Sequence, residues 1–152
     1  MAAAKQRRQY AYDTELLMKD AGLVAADAAA TVGGDAKILT VGEAVFKGVL
    51  VADVTAIEIA SNTELYRIIV QGSTSASFAS DIQNLAELTL GATEVRPGGA
   101  IDSATGRYEL PFINEQDEIT YPYLRVYTDV AGDIATGINF TAFIARDTLG
   151  GL

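Results

Sequence analysis

The stretch Ile138–Arg146, INFTAFIAR, repeats with a period of two: Ile138, Phe140, Ala142 and Ile144 fall on one side, and Asn139, Thr141, Phe143 and Ala145 on the other. A helix would scatter the first set around its circumference, whereas an extended strand lines it up on one face. The same rhythm recurs at residues 65–71 (LYRIIVQ), where Tyr66, Ile68 and Val70 oppose Arg67, Ile69 and Gln71. It recurs at residues 123–128, with Leu124, Val126 and Thr128 against Tyr123, Arg125 and Tyr127. At residues 106–112 Tyr108, Leu110 and Phe112 share a face, and Pro111, which has no N–H to donate, predicts an edge strand or a strand end. Residues 85–95 place Leu88 and Leu90 two apart before Gly91. Residues 44–60 repeat Phe46, Leu50, Val54, Ile57 and Ile59 in β-branched surroundings, with Gly48 and Asp53 as expected interruptions.

Between these runs lie GSTSASFASD, RPGGAIDSATG, NEQDE and DVAGDIATG, all dense in turn-forming residues. Short strands separated by turns, with no repeating strand–helix unit, predict an all-β protein. We expect an antiparallel, jelly-roll-like β-sandwich of about eight strands. Ahead of it, residues 1–20 read as an extended N-terminal arm, which leaves residues 21–152 as a single sandwich domain. Within the arm, residues 12–19 suit a helical turn or two, with Asp13 or Thr14 as cap and Leu16 and Leu17 facing inward. The arm is either frayed or reaches a neighbouring subunit, since Tyr10, Tyr12, Leu16, Leu17 and Met18 are apolar for a solvated tail. Residues 21–42 are rich in alanine and glycine around Gly33-Gly34-Asp35 and read as irregular chain or short strands.

The 152 residues contain no cysteine and no histidine. That removes disulfides, thiolate nucleophiles, thiolate zinc sites and the commonest general base together. Ser–His and Cys–His catalysis are therefore excluded. A Ser–Lys dyad has no support, because Lys5, Lys19, Lys37 and Lys47 lie in contexts that do not suggest burial. Paired carboxylates remain conceivable, but twenty acidic side chains make a close pair almost inevitable, so their presence carries no signal. Only oxygen ligands are on offer to a metal, and neither residues 114–118 nor Asp129 and Asp133 have the spacing of a calcium loop. Gly98-Gly99 and Gly150-Gly151 lack the lysine and hydroxyl of a phosphate loop. We expect no catalytic residue, no cofactor and no metal.

A net charge of −9 argues against nucleic acid as partner. No run approaches the roughly 18 apolar residues of a membrane span, and the opening MAAAKQRRQYAYDTELLMKD lacks the roughly 7–15-residue apolar stretch of a signal peptide. The expected setting is a reducing cytosol or something assembled there, with an extracellular destination after cell lysis still open, since a protein without cysteine is indifferent to redox. What remains is contact. Tyr123, Arg125 and Tyr127 would face outward from their strand, and Tyr and Arg are enriched in interface cores because each combines area with a polar handle. They also suit ordinary half-exposed strand positions. Lys5, Arg7, Arg8, Tyr10 and Tyr12 make the arm the second candidate contact, able to dock on an acidic protein surface.

Residues 45–73 (VFKGVLVADVTAIEIASNTELYRIIVQGS), 77–91 (SFASDIQNLAELTLG) and 121–147 (YPYLRVYTDVAGDIATGINFTAFIARD) resemble the capsid cement proteins of tailed bacteriophages, also called head decoration proteins. In the last stretch a YLR strand, a glycine-containing turn and a second strand look like that family's closing hairpin. The resemblance spans roughly residues 40–147 and implies a jelly-roll or related sandwich on the exterior of an icosahedral head. It implies a homotrimer that binds the major capsid protein and stitches its copies together, made in the host cytoplasm. It brings no catalytic residues. A carbohydrate- or receptor-binding sandwich, favoured by a concave cluster such as Tyr121, Tyr123 and Tyr127, is the alternative from another class, and an enzyme working with carboxylates alone is the third.

Overall fold

The computed structural model describes residues 11–146. Its longer strands are β1 (Leu17–Lys19), β2 (Lys47–Ile57), β3 (Leu65–Ser73), β4 (Gln83–Gly91), β5 (Gly106–Ile113), β6 (Tyr123–Ala131) and β7 (Ile138–Arg146). One five-stranded sheet runs β1–β7–β2–β5, with Leu23–Val24 also pairing β7. The other runs β6–β3–β4, with the two-residue strands Ala28–Ala29 and Leu39–Thr40 on the free side of β6. Every pairing among the described residues is antiparallel.

The period-two faces meet between the sheets. Leu50, Ala52, Val54, Phe140, Ala142 and Ile144 of the first sheet pack in one cluster with Tyr66, Ile68, Val70, Leu90, Leu124 and Val126 of the second. Such an arrangement, two sheets closed over one apolar layer, is sandwich-like. β5 lies on a sheet edge as Pro111 requires, opposite Val49. Within residues 21–42, Gly33 and Gly34 have φ of 62° and 86°, the pair of positive values that a two-residue turn between Thr31–Val32 and Asp35–Ala36 needs.

Three expectations shift. The division at residue 20 falls inside the sheet: after a single 3₁₀ turn at Thr14–Leu16, capped by the Asp13 carboxylate on the Glu15 N–H, the chain becomes β1. There Met18 is fully buried in the main cluster. Lys19, also buried, donates from Nζ to the carbonyls of Asp20, Gly22 and Phe140 at 3.0, 3.0 and 2.8 Å, and its ammonium lies 4.5 Å from the Phe140 ring centroid. Burial pulls its pKa down, against the opposing charge of Asp20. Second, Gly48 and Asp53 do not interrupt β2, which runs through both. Asp53 turns outward to Arg107, and Gly48 leaves room for the rings of Phe46 and Phe112, which a Cβ would meet at 2.9 and 3.0 Å. Third, the strand expected at residues 85–95 begins earlier and stops at Gly91, because the Ala92 N–H turns back to the Glu64 carbonyl and a turn follows.

Candidate contact surfaces

β6 places Leu124, Val126 and Thr128 in the interior and so turns Tyr123, Arg125 and Tyr127 to the outer face of their sheet, each half-buried. Arg125 does not stand free there. Its Nε donates to Gln71 Oε1 at 2.8 Å, and Gln71 Nε2 in turn donates to Asn84 Oδ1 at 3.0 Å. Its guanidinium lies 4.5 Å from the Phe78 ring centroid and 5.4 Å from that of Tyr127. Burial lowers its pKa, with Tyr127 acting the other way. Phe78 reaches this position because the serine-rich loop after β3 folds back over the sheet. Ser73 Oγ donates to the Ser80 carbonyl at 2.7 Å, the Phe78 N–H donates to the Ser75 carbonyl at 3.1 Å, and Phe78 itself takes a φ of 56°. A bulky residue in the left-handed region is strained, and burial of the ring against Arg125 offsets that strain. Farther along the face Arg67 pairs with Asp129. Phe78 was legible only as a lone aromatic in a turn-rich stretch.

The outer face of the other sheet is drier. Val49, Val51, Phe143 and Ala145 form a second buried cluster with Leu17 packed on it. Tyr12, 56% exposed, meets the Phe143 ring edge-on at 5.4 Å between centroids. Beside it Arg107 forks onto Asp53, Nε to Oδ1 at 2.7 Å and a terminal nitrogen to Oδ2 at 3.0 Å, with its guanidinium 5.7 Å from the Phe143 ring centroid. The hydrogen bond to Asp53, more than its charge, pushes the Arg107 pKa up against partial burial. Tyr12, Leu17, Asp53, Arg107, Thr141 and Phe143 line a shallow cavity of about 420 Å³ here. The expected contact residues are thus divided: Tyr12 belongs to one outer face and Tyr123, Arg125 and Tyr127 to the opposite one. Lys5, Arg7, Arg8 and Tyr10 lie outside the described residues.

The carboxylates with shifted pKa values are tied to the backbone rather than gathered in a cleft. Glu58 accepts the N–H groups of Ala135, Thr136 and Gly137 at 2.9, 3.0 and 3.0 Å, and these bonds, Gly137 foremost, hold its pKa down against partial burial. Glu64 is fully buried. Burial pushes its pKa up, but the Ser61 N–H at 2.6 Å, the Ser61 hydroxyl at 2.9 Å and the Thr63 N–H at 3.1 Å outweigh it, and the net shift is downward. Tyr66 donates its hydroxyl to the Glu58 carbonyl at 2.9 Å, and burial followed by the charges of Glu58 and Glu64 pushes its pKa up to about 12. These groups fix the loops at one end of the sheets. Among the described residues no set of three or more acidic side chains is placed to hold a metal ion. Neither protein-family models nor curated proteins gave a match to this chain.

Proposed function

We propose that this chain is a structural virion protein, a capsid cement or decoration protein that binds the outside of an icosahedral phage head and stabilises contacts between major capsid protein subunits. The observation that carries the reading is the pair of opposite outer faces, each presenting aromatic and arginine side chains held in place by neighbours: Arg125 and Tyr127, beside Tyr123, on one, Tyr12 and Arg107 on the other. Pre-fixed side chains lose little freedom on docking, and a wedge with two contact faces can bridge two partners. A protein bound many times over the assembled shell, and not to its separated parts, stabilises the shell by mass action. The stretches that resemble the cement family supply β2, β3, β4, β6 and β7, so the likeness follows strands of both sheets. In this reading the finer fold is jelly-roll-like, with about eight principal strands.

Cryo-electron microscopy of purified virions tests the proposal: density matching this fold on the capsid exterior supports it, and an exterior without it overturns it. The glycan-binding alternative has less to draw on, because Tyr121, the third member of its aromatic cluster, is buried. A glycan array with signal confined to this protein would reverse that preference.

A further inference from the structure

Val49, Val51 and Ala145 are dry where an outward strand position is ordinarily wet. Each alternates with inward residues of the main cluster, Leu50, Ala52 and Ile144, so each points away from the layer between the sheets. Yet Val49 and Val51 are 0% exposed and Ala145 is 3% exposed. The flanking partners of Val49 are Ala145 on β7 and Pro111 on β5. Both are too short to arch over a valine, and the long side chains nearest on this face, Lys47 and Glu109, are exposed. A side chain on a sheet surface loses all contact with water only when other chain lies across it.

The cover seen among the described residues stops short of that end of the cluster. Leu17 is their one partly buried apolar side chain packed on it, and it pairs opposite Phe143. Tyr12 rests on the Phe143 ring, and Arg107 stands opposite Asp53, on the far side of Phe143 from Ala145. Ala145 and Val49 lie the other way, two residues along β7 or about 7 Å. Residues 1–10 begin where the cover gives out: Asp13 is extended, with φ of −126° and ψ of 126°, and Tyr12 is already laid on the face. A further extended step puts Tyr10 on the same side as Tyr12 and about 7 Å beyond it, the step from Phe143 to Ala145. Ten residues reach as far as about 33 Å, several times the roughly 10 Å from β7 across β2 to β5. The segment carries Lys5, Arg7 and Arg8 and no acid, against eight basic and twenty acidic side chains in the rest of the chain, so its charge draws it onto the body. Residues 147–152 have no basic side chain, and from Arg146 at the end of β7 they would have to double back to reach Val49.

We propose that residues 1–10 fold back across this face of their own chain as a strap, with Tyr10 over Ala145 and Val51 and the basic side chains toward Glu109. The strap differs from both fates expected of the arm, fraying and reaching a neighbouring subunit. It makes the outer face of the first sheet a covered groove in the isolated chain, so a partner that docks there must displace the strap or build on it. The strap belongs to the single chain and is tested there, apart from any capsid.

With no cysteine in the chain, Ala4→Cys takes a single nitroxide spin label. The amide NMR signals of Val49 and Ala145 should then lose most of their intensity, while those of Glu87 and Thr89 in the opposite sheet keep theirs. Spin-labelled protein without nitrogen-15, mixed with unlabelled nitrogen-15 protein, should cause no such loss, because the strap covers its own chain. Removing residues 2–10 should raise the fluorescence of a hydrophobic dye several-fold with circular dichroism unchanged, and removing residues 147–152 should not. Full intensity at Val49 and Ala145 overturns the proposal, as does a loss of equal depth in both sheets or one that appears only in the mixed sample. Dye binding unaltered by removal of residues 2–10, or raised instead by removal of residues 147–152, overturns it too. The spin-label measurement uses the full chain, so it decides even if a shortened protein fails to fold.

Discussion

Phe140 and Phe143 stand three residues apart on β7, and they belong to different structures. Phe140 points between the sheets into the large cluster and is fully buried, while Phe143 points out and packs under Tyr12, Arg107 and Leu17 in a cluster of a few residues. Each is well covered, but by different means. The inner layer is closed by residues of both sheets, so its loss opens a cavity that neither sheet can collapse around. The outer patch is covered by one aromatic ring, one ion-paired arginine and a strand of three residues. The comparison shows that burial alone does not say how a side chain is held: equal dryness marks a residue locked between two sheets on one face and a residue under a thin outer cover on the other.

Phe140→Ala should therefore lose about 3–5 kcal/mol of unfolding free energy in urea. Phe143→Ala should lose less, about 2 kcal/mol, because only the transfer of one ring is at stake and the site is open to solvent on one side. Equal losses would erase the distinction between the two faces. A third test concerns how dry the inner layer is. Burial raises Tyr66 from 10.0 to about 12, so in alkali the unfolded chain ionises first and stability drains away as pH climbs through that interval. Tyr66→Phe should flatten that decline, and an unaltered slope would mean that solvent reaches the hydroxyl. The smallest effect belongs to the rim, outside both layers. Glu58 is held below its ordinary value of 4.5 by the amides of Ala135, Thr136 and Gly137, so its contribution is present above that value and lost as pH falls through the folded pKa. Glu58→Gln should show a shallower acid limb in thermal melts, and an identical limb would place the acid sensitivity elsewhere.

Most inward residues of the long strands could be read directly, because alternation states which side chains share a face and burial then selects the apolar set. Residues 138–146 matched to the residue, and Pro111 announced its edge. What escaped was set by distant chain. Nothing near Lys19 shows that it would be buried, since the deciding acceptor, the Phe140 carbonyl, lies 121 positions away. The strand character of Leu17–Lys19 went unseen for the same reason: three residues carry no period of their own, and β7 supplies the pairing. The outward turn of Tyr123, Arg125 and Tyr127 was foreseeable, but Phe78 lying across Arg125 was not, because the contact depends on a loop folding back in a conformation that phenylalanine rarely adopts.

Pro111 also governs what crowding can do to this protein. A ribbon of molecules needs two receptive flanks, one to accept a neighbour and one to offer itself to the next. With its donor missing on the outward side of β5, Pro111 interrupts any ladder that a neighbouring strand would try to build on that flank, which blunts one lateral edge against open-ended stacking.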